Sequence, residues 1–432
     1  MYEIIQQINL YTSDYVIFVW AFLMLLVIEL PIYLAVFIGV ITYTINIKKI
    51  KYDKDFHPDI SVTVPCYSEK QGALICVKTL VNQDYDGYIE INAIVDGNVQ
   101  NKETYDILIA YKKMLNHPLR TLNVIGKPDR QGRVSSLNLG VVLAKYDYVL
   151  ALDADNTIDA LMVQTVMQNF KDPDVVAGTG AIYPSNENYS LITKLQGIEY
   201  TLGITLGRTG LASLGVINNI SGAFGVFRKK VLQEVGAWDN GSAEDLDLTL
   251  RLKQRLRIFP NEKLFFDPNA ILYTEVPPNV NVFMQQRLRW NGDLGYMYIR
   301  KRWRAFWYNS MGWTNSIYTA WYGILHQIII PFMIFFYTIF FGLYDPMRFI
   351  TVGSSVYVLY LLLHIIYYIF YLVSLSNNRI HDMRFIIFIP IYPIFQYFSR
   401  LWDVVAHLNE LFRKGHLDSS MAPKHILRRA KW

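Results

Sequence analysis

The sequence predicts an α/β domain with a mostly parallel sheet, joined to an α-helical membrane region. Three observations carry this. The 432 residues are 52% hydrophobic and 15% aromatic, too apolar for an ordinary soluble domain, yet 18% are charged, too many for a chain lying wholly in lipid. Long apolar runs stand towards both ends of the chain, and none interrupts the stretch from Lys51 to Ile299. Within that stretch, short β-rich runs alternate with amphipathic ones.

Tyr15 to Ile47 is almost continuously apolar. It is longer than one span needs and short for two, so it predicts one tilted helix, kinked near Pro31. No basic segment precedes it and no small-residue cleavage site follows, which argues against a signal peptide. Met1 to Asp14 has no Lys or Arg, whereas Lys48, Lys49, Lys51 and Lys54 follow the helix. The positive-inside rule then places the N-terminus outside and the next domain in the cytosol. Tyr318–Leu343 and Ser354–Leu375 read as two further spans. Phe385–Phe398 is short and holds Pro390 and Pro393. It is either a re-entrant or interfacial piece, which keeps the basic tail inside, or a span that puts Lys424, Arg428, Arg429 and Lys431 outside against the charge rule. Arg300 to Trp307 mixes basic residues with tryptophans and predicts a helix in the headgroup region. Cys66 and Cys76, the only cysteines, argue against a disulfide framework and suit a cytosolic domain. A net charge of +5 is too modest to point to nucleic acid.

In the cytosolic stretch, Ile60–Pro65, Ile89–Val95, Thr121–Ile125, Tyr148–Leu152 and Val175–Ile182 read as strands. Ala73–Val81, Lys102–Met114, Val134–Ala144 and Asp159–Phe170 read as the helices between them. Such alternation implies a Rossmann-like sheet covered on both faces, with ligands beyond the carboxyl ends of the strands. Tyr67 to Glu69, Asp96-Gly97-Asn98 and Asp153-Ala154-Asp155 all fall there. Each also has a plain reading: Asp155 as the cap of a helix beginning near Thr157, Asp96-Gly97 as a turn. Glu244-Asp245 opens an amphipathic helical pattern, where backbone NH groups favour acids. Gln286 and Arg289 share a helix face, followed by Trp290.

In this order the segments resemble the processive family-2 glycosyltransferases, membrane synthases that build polysaccharides from nucleotide sugars. The pattern is nearest to poly-N-acetylglucosamine synthases. Asp96-Gly97-Asn98 is similar to hyaluronan synthases, and Asn219 to Gly225 to chitin and hyaluronan synthases. The resemblance covers nearly the whole chain and implies a GT-A-like fold, with a membrane helix at 1–50, a catalytic domain at 51–299, an interfacial helix at 300–317, membrane and interfacial helices at 318–412 and a basic tail at 413–432. It implies that Asp245, beside Glu244, is the general base that deprotonates the acceptor hydroxyl. It implies that Tyr67 and Glu69 border the uracil and ribose, that Asp96 binds the base, that Arg133, Gln286 and Arg289 hold the diphosphate, and that Asp153 also faces the nucleotide. Arg133 replaces the usual Lys, and Ser68 the usual Asn. Trp290, Ser221 and Gly222 would meet the acceptor sugar. The leaving diphosphate calls for a cation, and hard oxygens on Asp153 and Asp155 suit Mg2+ or Mn2+. The implied partners are a UDP-sugar, with UDP-GlcNAc the first candidate, a growing polysaccharide or lipid acceptor, the lipid bilayer of the plasma membrane, and accessory export subunits. Any cyclic-dinucleotide control is expected to need another subunit. A transferase adding one sugar to a lipid shares Gln-x-x-Arg-Trp; a nucleotide-binding transporter or scaffold is the non-enzymatic rival.

Overall fold

The computed structural model describes residues 6, 24–47, 53, 55–239, 241–306 and 310–417. The beginning of the expected N-terminal helix, the lysines after it and the basic end of the chain lie outside these residues.

A π-helical turn, Met24–Glu29, leads into α1 (Leu30–Ile47), so the irregularity expected near Pro31 falls at the change from π to α. Strands β1 (Ile60–Cys66), β2 (Ile89–Asp96), β3 (Arg120–Lys127) and β4 (Tyr148–Leu152) alternate with α2 (Gln71–Val81), α3 (Lys102–Met114) and α4 (Arg133–Leu143), close to the expected bounds. These four strands pair in parallel. Val62, Val64, Ile91 and Ala93 are fully buried because helices cover both faces.

The second half of the domain is mixed. It comprises β5 (Thr157–Ile158), α5 (Met162–Gln168), β6 (Val175–Pro184), α6 (Leu191–Glu199), α7 (Gly207–Ser213), β7 (Phe224–Arg228), α8 (Lys229–Glu234), α9 (Glu244–Ile258), β8 (Lys263–Thr274) and α10 (Val280–Gly295). The eight strands form one sheet in the order β3-β2-β1-β4-β7-β6-β8-β5. β7 is antiparallel to β4 and β6, and β5 to β8. The helix that would have made Asp155 a cap does not begin at Thr157: that residue is in β5, and α5 starts at Met162.

Four helical stretches among the described residues are long and apolar enough to cross a membrane: Val27–Asn46, Trp313–Tyr344, Pro346–Ser374 and Arg379–Arg413. The second comprises α11 (Trp313–Ala320), a π segment and α12 (Ile330–Tyr344); the third is α13 (Pro346–Ser374). The fourth begins with α14 (Arg379–Met383), passes through a 3-10 segment and ends in α15 (Tyr392–Arg413). Its contacts set it apart. His381 lies 2.8 Å from Glu187 after β6. Phe395 stacks near Phe283, Trp402 donates to the Met284 carbonyl, and Gly295 faces His407. α15 therefore lies along α10, a helix of the sheet domain, from one end to the other. It also packs on the second stretch, where Tyr397 meets Thr338 at 2.7 Å and His407 meets the Gln327 carbonyl at 3.1 Å.

The expected interfacial helix at 300–317 is not one element. A π turn ends at Lys301 and a 3-10 turn covers Trp303–Phe306. Lys301 and Arg302 turn inward because Asp247 on α9 is fully buried: Arg302 reaches it at 2.6 Å and Lys301 at 3.3 Å. Burial alone would raise the Asp247 carboxyl, but Arg302, Lys301 and Arg251 hold it below the usual range.

α1 docks on the sheet domain through glycines. A Cβ at Gly39 would lie 2.0 Å from the Gly210 carbonyl oxygen, and one at Gly210 would lie 2.4 Å from that of Val36. The two backbones touch with no side chain between them. Gly210→Val should cost about 1–3 kcal/mol by overpacking. Thermal unfolding in detergent checks this, and an unchanged midpoint would refute the seam.

Candidate active site

The expected catalytic, nucleotide, acceptor and metal residues line one cavity of about 1410 Å³: Tyr67, Glu69, Asp96, Arg133, Asp153, Asp155, Ser221, Gly222, Glu244, Asp245, Gln286, Arg289 and Trp290. The parallel strands deliver the first of them. Tyr67 and Glu69 follow β1, with the Tyr67 NH donating to Glu69 Oε2 at 2.6 Å. Burial raises the Glu69 carboxyl, and backbone NH groups oppose it. The Arg130 guanidinium lies over the Tyr67 ring, 4.3 Å from its centroid.

Asp96 ends β2 and is buried. Its Oδ1 accepts from Lys127 Nζ at 2.7 Å and the Gln131 NH at 2.9 Å; Oδ2 accepts from the Gly132 NH at 2.7 Å. Asp96 and Lys127 are register partners on neighbouring parallel strands, which is why they meet. The carboxylate expected to face a base thus ties down the loop that leads to Arg133.

Arg133, at the start of α4, joins three separate motifs. Its Nε donates to Asp153 Oδ1 at 2.8 Å, Nη2 to the Gly222 carbonyl at 2.6 Å, and Nη1 to Glu244 Oε1. Burial works against this charge, but Asp153 and Glu244 outweigh it and the guanidinium pKa rises. Burial raises Glu244, with Arg133 opposing. Asp155 faces the lumen beyond β4. Its side chain is exposed there, yet the surrounding walls, with Asp153 beside it, push its carboxyl up to about 6.

Asp245 sits in the first turn of α9, after Ala243 in a left-handed conformation (φ 54°). Oδ1 accepts from the Leu246 NH at 2.7 Å, and Oδ2 accepts from Asn219 Nδ2 at 2.9 Å and the Gly222 NH at 3.0 Å. A Cβ at Gly222 would crowd Asp245 Oδ2 at 3.2 Å, so glycine allows this approach. On the far wall, Asn279 caps α10 by accepting from the Val282 NH at 3.0 Å. Gln286, Arg289 and Trp290 on that helix share the cavity, as their spacing predicts. The Arg287 guanidinium pairs with Glu199 at 2.6 Å and lies 5.0 Å from the Trp290 ring centroid. Burial pushes Asp293, one turn on, up to about 8.

The profile of Glycosyl transferase family group 2 matches residues 148–398, more than half of the chain. The chain belongs to this family. The poly-beta-1,6-N-acetyl-D-glucosamine synthase of Staphylococcus epidermidis is 31% identical over 232 residues, 54% of this chain and 53% of that one. The Staphylococcus aureus (strain COL) synthase of the same name is 28% identical over 271 residues, 60% of this chain and 62% of that one. The chain thus spans between about half and three fifths of these relatives' length. The mannosyltransferase PcManGT from Pyrobaculum calidifontis, solved with GDP-Man and Mn2+, has a TM-score of 0.55 over 89% of this chain and 99% of that one at 15% identity, a likeness of fold.

This family-2 glycosyltransferase has a GT-A-like sheet domain, and its cavity contains residues that sequence reasoning missed. Arg130 joins it through loop folding, and Lys127 supports Asp96 from behind through strand register, which no local motif announces. Arg208 on α7 lines the cavity with a buried Nη1 that has no hydrogen-bond partner among the described residues, as does Gln286 Oε1. Native structures rarely leave such atoms unpaired without a ligand or water to meet them.

Arg133→Ala leaves Asp153 and Glu244 uncompensated and should cost about 3–5 kcal/mol of stability. Arg133→Lys keeps the charge but loses the fork and should fall between. Thermal unfolding of both variants gives the order; equal midpoints for all three proteins would contradict it.

Proposed function

We propose that this enzyme polymerises a UDP-sugar, with UDP-GlcNAc the first candidate, into a β-linked polysaccharide and passes it across the membrane. The observation that carries the reading is the cavity's reach. Its lining continues from Asp245 and Trp290 along α13 between Phe349 and Tyr367. That is about 27 Å of helix rise, against about 30 Å for a bilayer's hydrocarbon core. The far end, near Phe349, lies beside the turn between α12 and α13, away from the sheet domain. The Staphylococcus relatives named as polysaccharide synthases support the same product class.

In this reading Asp245 takes the proton from the acceptor hydroxyl, with its carboxylate oriented by Asn219 and the Gly222 NH. Direct attack opposite the nucleotide inverts an α-linked donor to a β-linkage. Trp290 offers a flat face to the acceptor sugar. Gln286, Arg289 and Arg208 turn towards the diphosphate and sugar. Asp155 and Asp153 would hold Mg2+ or Mn2+. The fit rests on the donors: two crowded carboxylates, one with its pKa raised by burial and by its neighbour, are relieved by a dication. No group of three or more metal-binding side chains forms among the described residues. The protein would supply two carboxylates and the substrate diphosphate the remaining oxygens. A bound cation neutralises charge gathering on the leaving diphosphate.

On our reading α1, the stretch from Trp313 to Tyr344, and α13 cross the membrane and α15 lies at its surface. The N-terminus is then outside, with the sheet domain and the C-terminal end in the cytosol, in keeping with the flanking lysines.

Membranes incubated with each labelled UDP-sugar and Mg2+ or Mn2+ should yield a long product from one donor. A single lipid-linked sugar would overturn the polymer reading. Asp245→Asn should abolish UDP release, as should Asp153→Ala or Asp155→Ala, with membrane insertion intact. Protons compete with the cation for Asp155, so Mn2+ affinity should fall as pH drops through about 6. Titration calorimetry on purified protein at several pH values tests this; a flat profile would remove Asp155 from the metal site.

A further inference from the structure

We infer that Arg287, held by Glu199, is a positioning residue that fixes the Trp290 ring for the acceptor sugar. This rests on the acceptor role given to Trp290 above and names what aims that ring.

Phe283, Arg287 and Trp290 stand four and three residues apart on α10, so they share one helix face. The Arg287 guanidinium lies over both rings, 4.9 Å from the Phe283 centroid and 5.0 Å from the Trp290 centroid. Phe283 is 4% exposed and packs on Phe395 of α15 with centroids 5.3 Å apart. A column of planar groups therefore runs from α15 to Trp290, with the guanidinium as its movable member. Glu199, the last residue of α6, takes up that freedom by accepting from Arg287 Nη2 at 2.6 Å. The residue after Trp290 is tied too: Asn291 Nδ2 donates to Asp403 Oδ1 on α15.

The pair does more than join α6 to α10. Glu199, Arg287 and Trp290 all line the cavity. Arg287 Nε is buried without a hydrogen-bond partner among the described residues, so two rings and one carboxylate place the guanidinium, not a full set of acceptors. Burial raises the Glu199 carboxyl, and Arg287 opposes this. Apolar side chains of the same size would hold two helices together as well as a buried ion pair does. What they would not supply is a flat cation on an indole, with its edge still open to a carboxylate. Arginine offers both at once, which lysine does not.

The consequence concerns where the sugar meets Asp245. With the guanidinium on Trp290, the indole keeps one orientation, and its remaining surface is offered to the CH face of a pyranose. With the ring adrift, the acceptor hydroxyl no longer stands at the anomeric carbon. Water attacks there instead, the same sugar–phosphate bond breaks, and UDP leaves with a free sugar in place of a lengthened acceptor.

The test uses membranes carrying the full chain and the UDP-sugar that the donor screen above selects, radiolabelled in the sugar. Sugar transferred is measured against UDP released, with donor KM and the unfolding midpoint alongside. Glu199→Gln/Arg287→Gln removes both charges together and leaves neither unpaired, so its midpoint should stay near wild type. Its transfer ratio should fall about tenfold, the factor for about 1.4 kcal/mol, with donor KM unchanged. Arg287→Lys keeps the ion pair but not the stacking plane, and its ratio should fall in the same direction; it decides alone if the double variant melts early. A wild-type ratio in Arg287→Lys or in a double variant with a normal midpoint overturns the assignment. So does a rise in donor KM that accounts for the lost transfer, which would put the pair in donor binding. Trp290→Ala is measured first. A wild-type ratio there removes the acceptor role of Trp290 itself, and is told apart because Glu199 and Arg287 are both still in place.

Discussion

The Arg133 guanidinium is the constraint on which this active site depends. It joins the end of β4, the start of α9 and the Gly222 loop, segments that lie up to 111 residues from it in the chain. Without it, Asp153 and Glu244 would share a largely buried space with no cation between them. Its own position is inherited. Asp96 holds the Gln131 and Gly132 NH groups, so the residue that follows is aimed before it pairs. Lys127 steadies Asp96 from the next strand. A line of polar contacts thus runs from the parallel half of the sheet to the mixed half. One fork-shaped side chain meets three acceptors where a lysine would offer a single point charge.

Much of this was legible in the sequence, for definite reasons. β1 to β4 announce themselves because buried parallel strands are nearly continuous in apolar residues. The motif residues converge because loops at the carboxyl ends of such strands must share one edge. β7 and β8 were hidden: Phe224–Arg228 is short and follows a glycine-rich loop, and Lys263–Thr274 carries Pro268 and Asp267 within it. Arg208 and Lys127 have no local signature, because their partners are set by register and packing.

The membrane elements show the same divide. The spans around Tyr318–Leu343 and Ser354–Leu375 follow from length and apolarity alone. The segment at 379–413 could not be resolved that way, because an interfacial helix and a short span have similar composition. Its contacts with α10 and with the stretch from Trp313 to Tyr344 come into view only in the structure. The basic run at Arg300 shows another limit of composition. Its charge suggested headgroups, but the buried Asp247 attracts Lys301 and Arg302 inward, a demand visible only once α9 is in place.

The glycine seam between α1 and α7 has a mechanical consequence. Two backbones in direct contact leave no side chain to repack, so α1 can neither slide nor roll on the sheet domain without opening a void. The first membrane helix and the catalytic domain must then travel as one rigid piece. Any motion that accompanies a catalytic cycle is pushed onto the other boundaries, where α12 and α13 meet α15 and its preceding turn through side chains, Thr338 on Tyr397 and His364 on Tyr392.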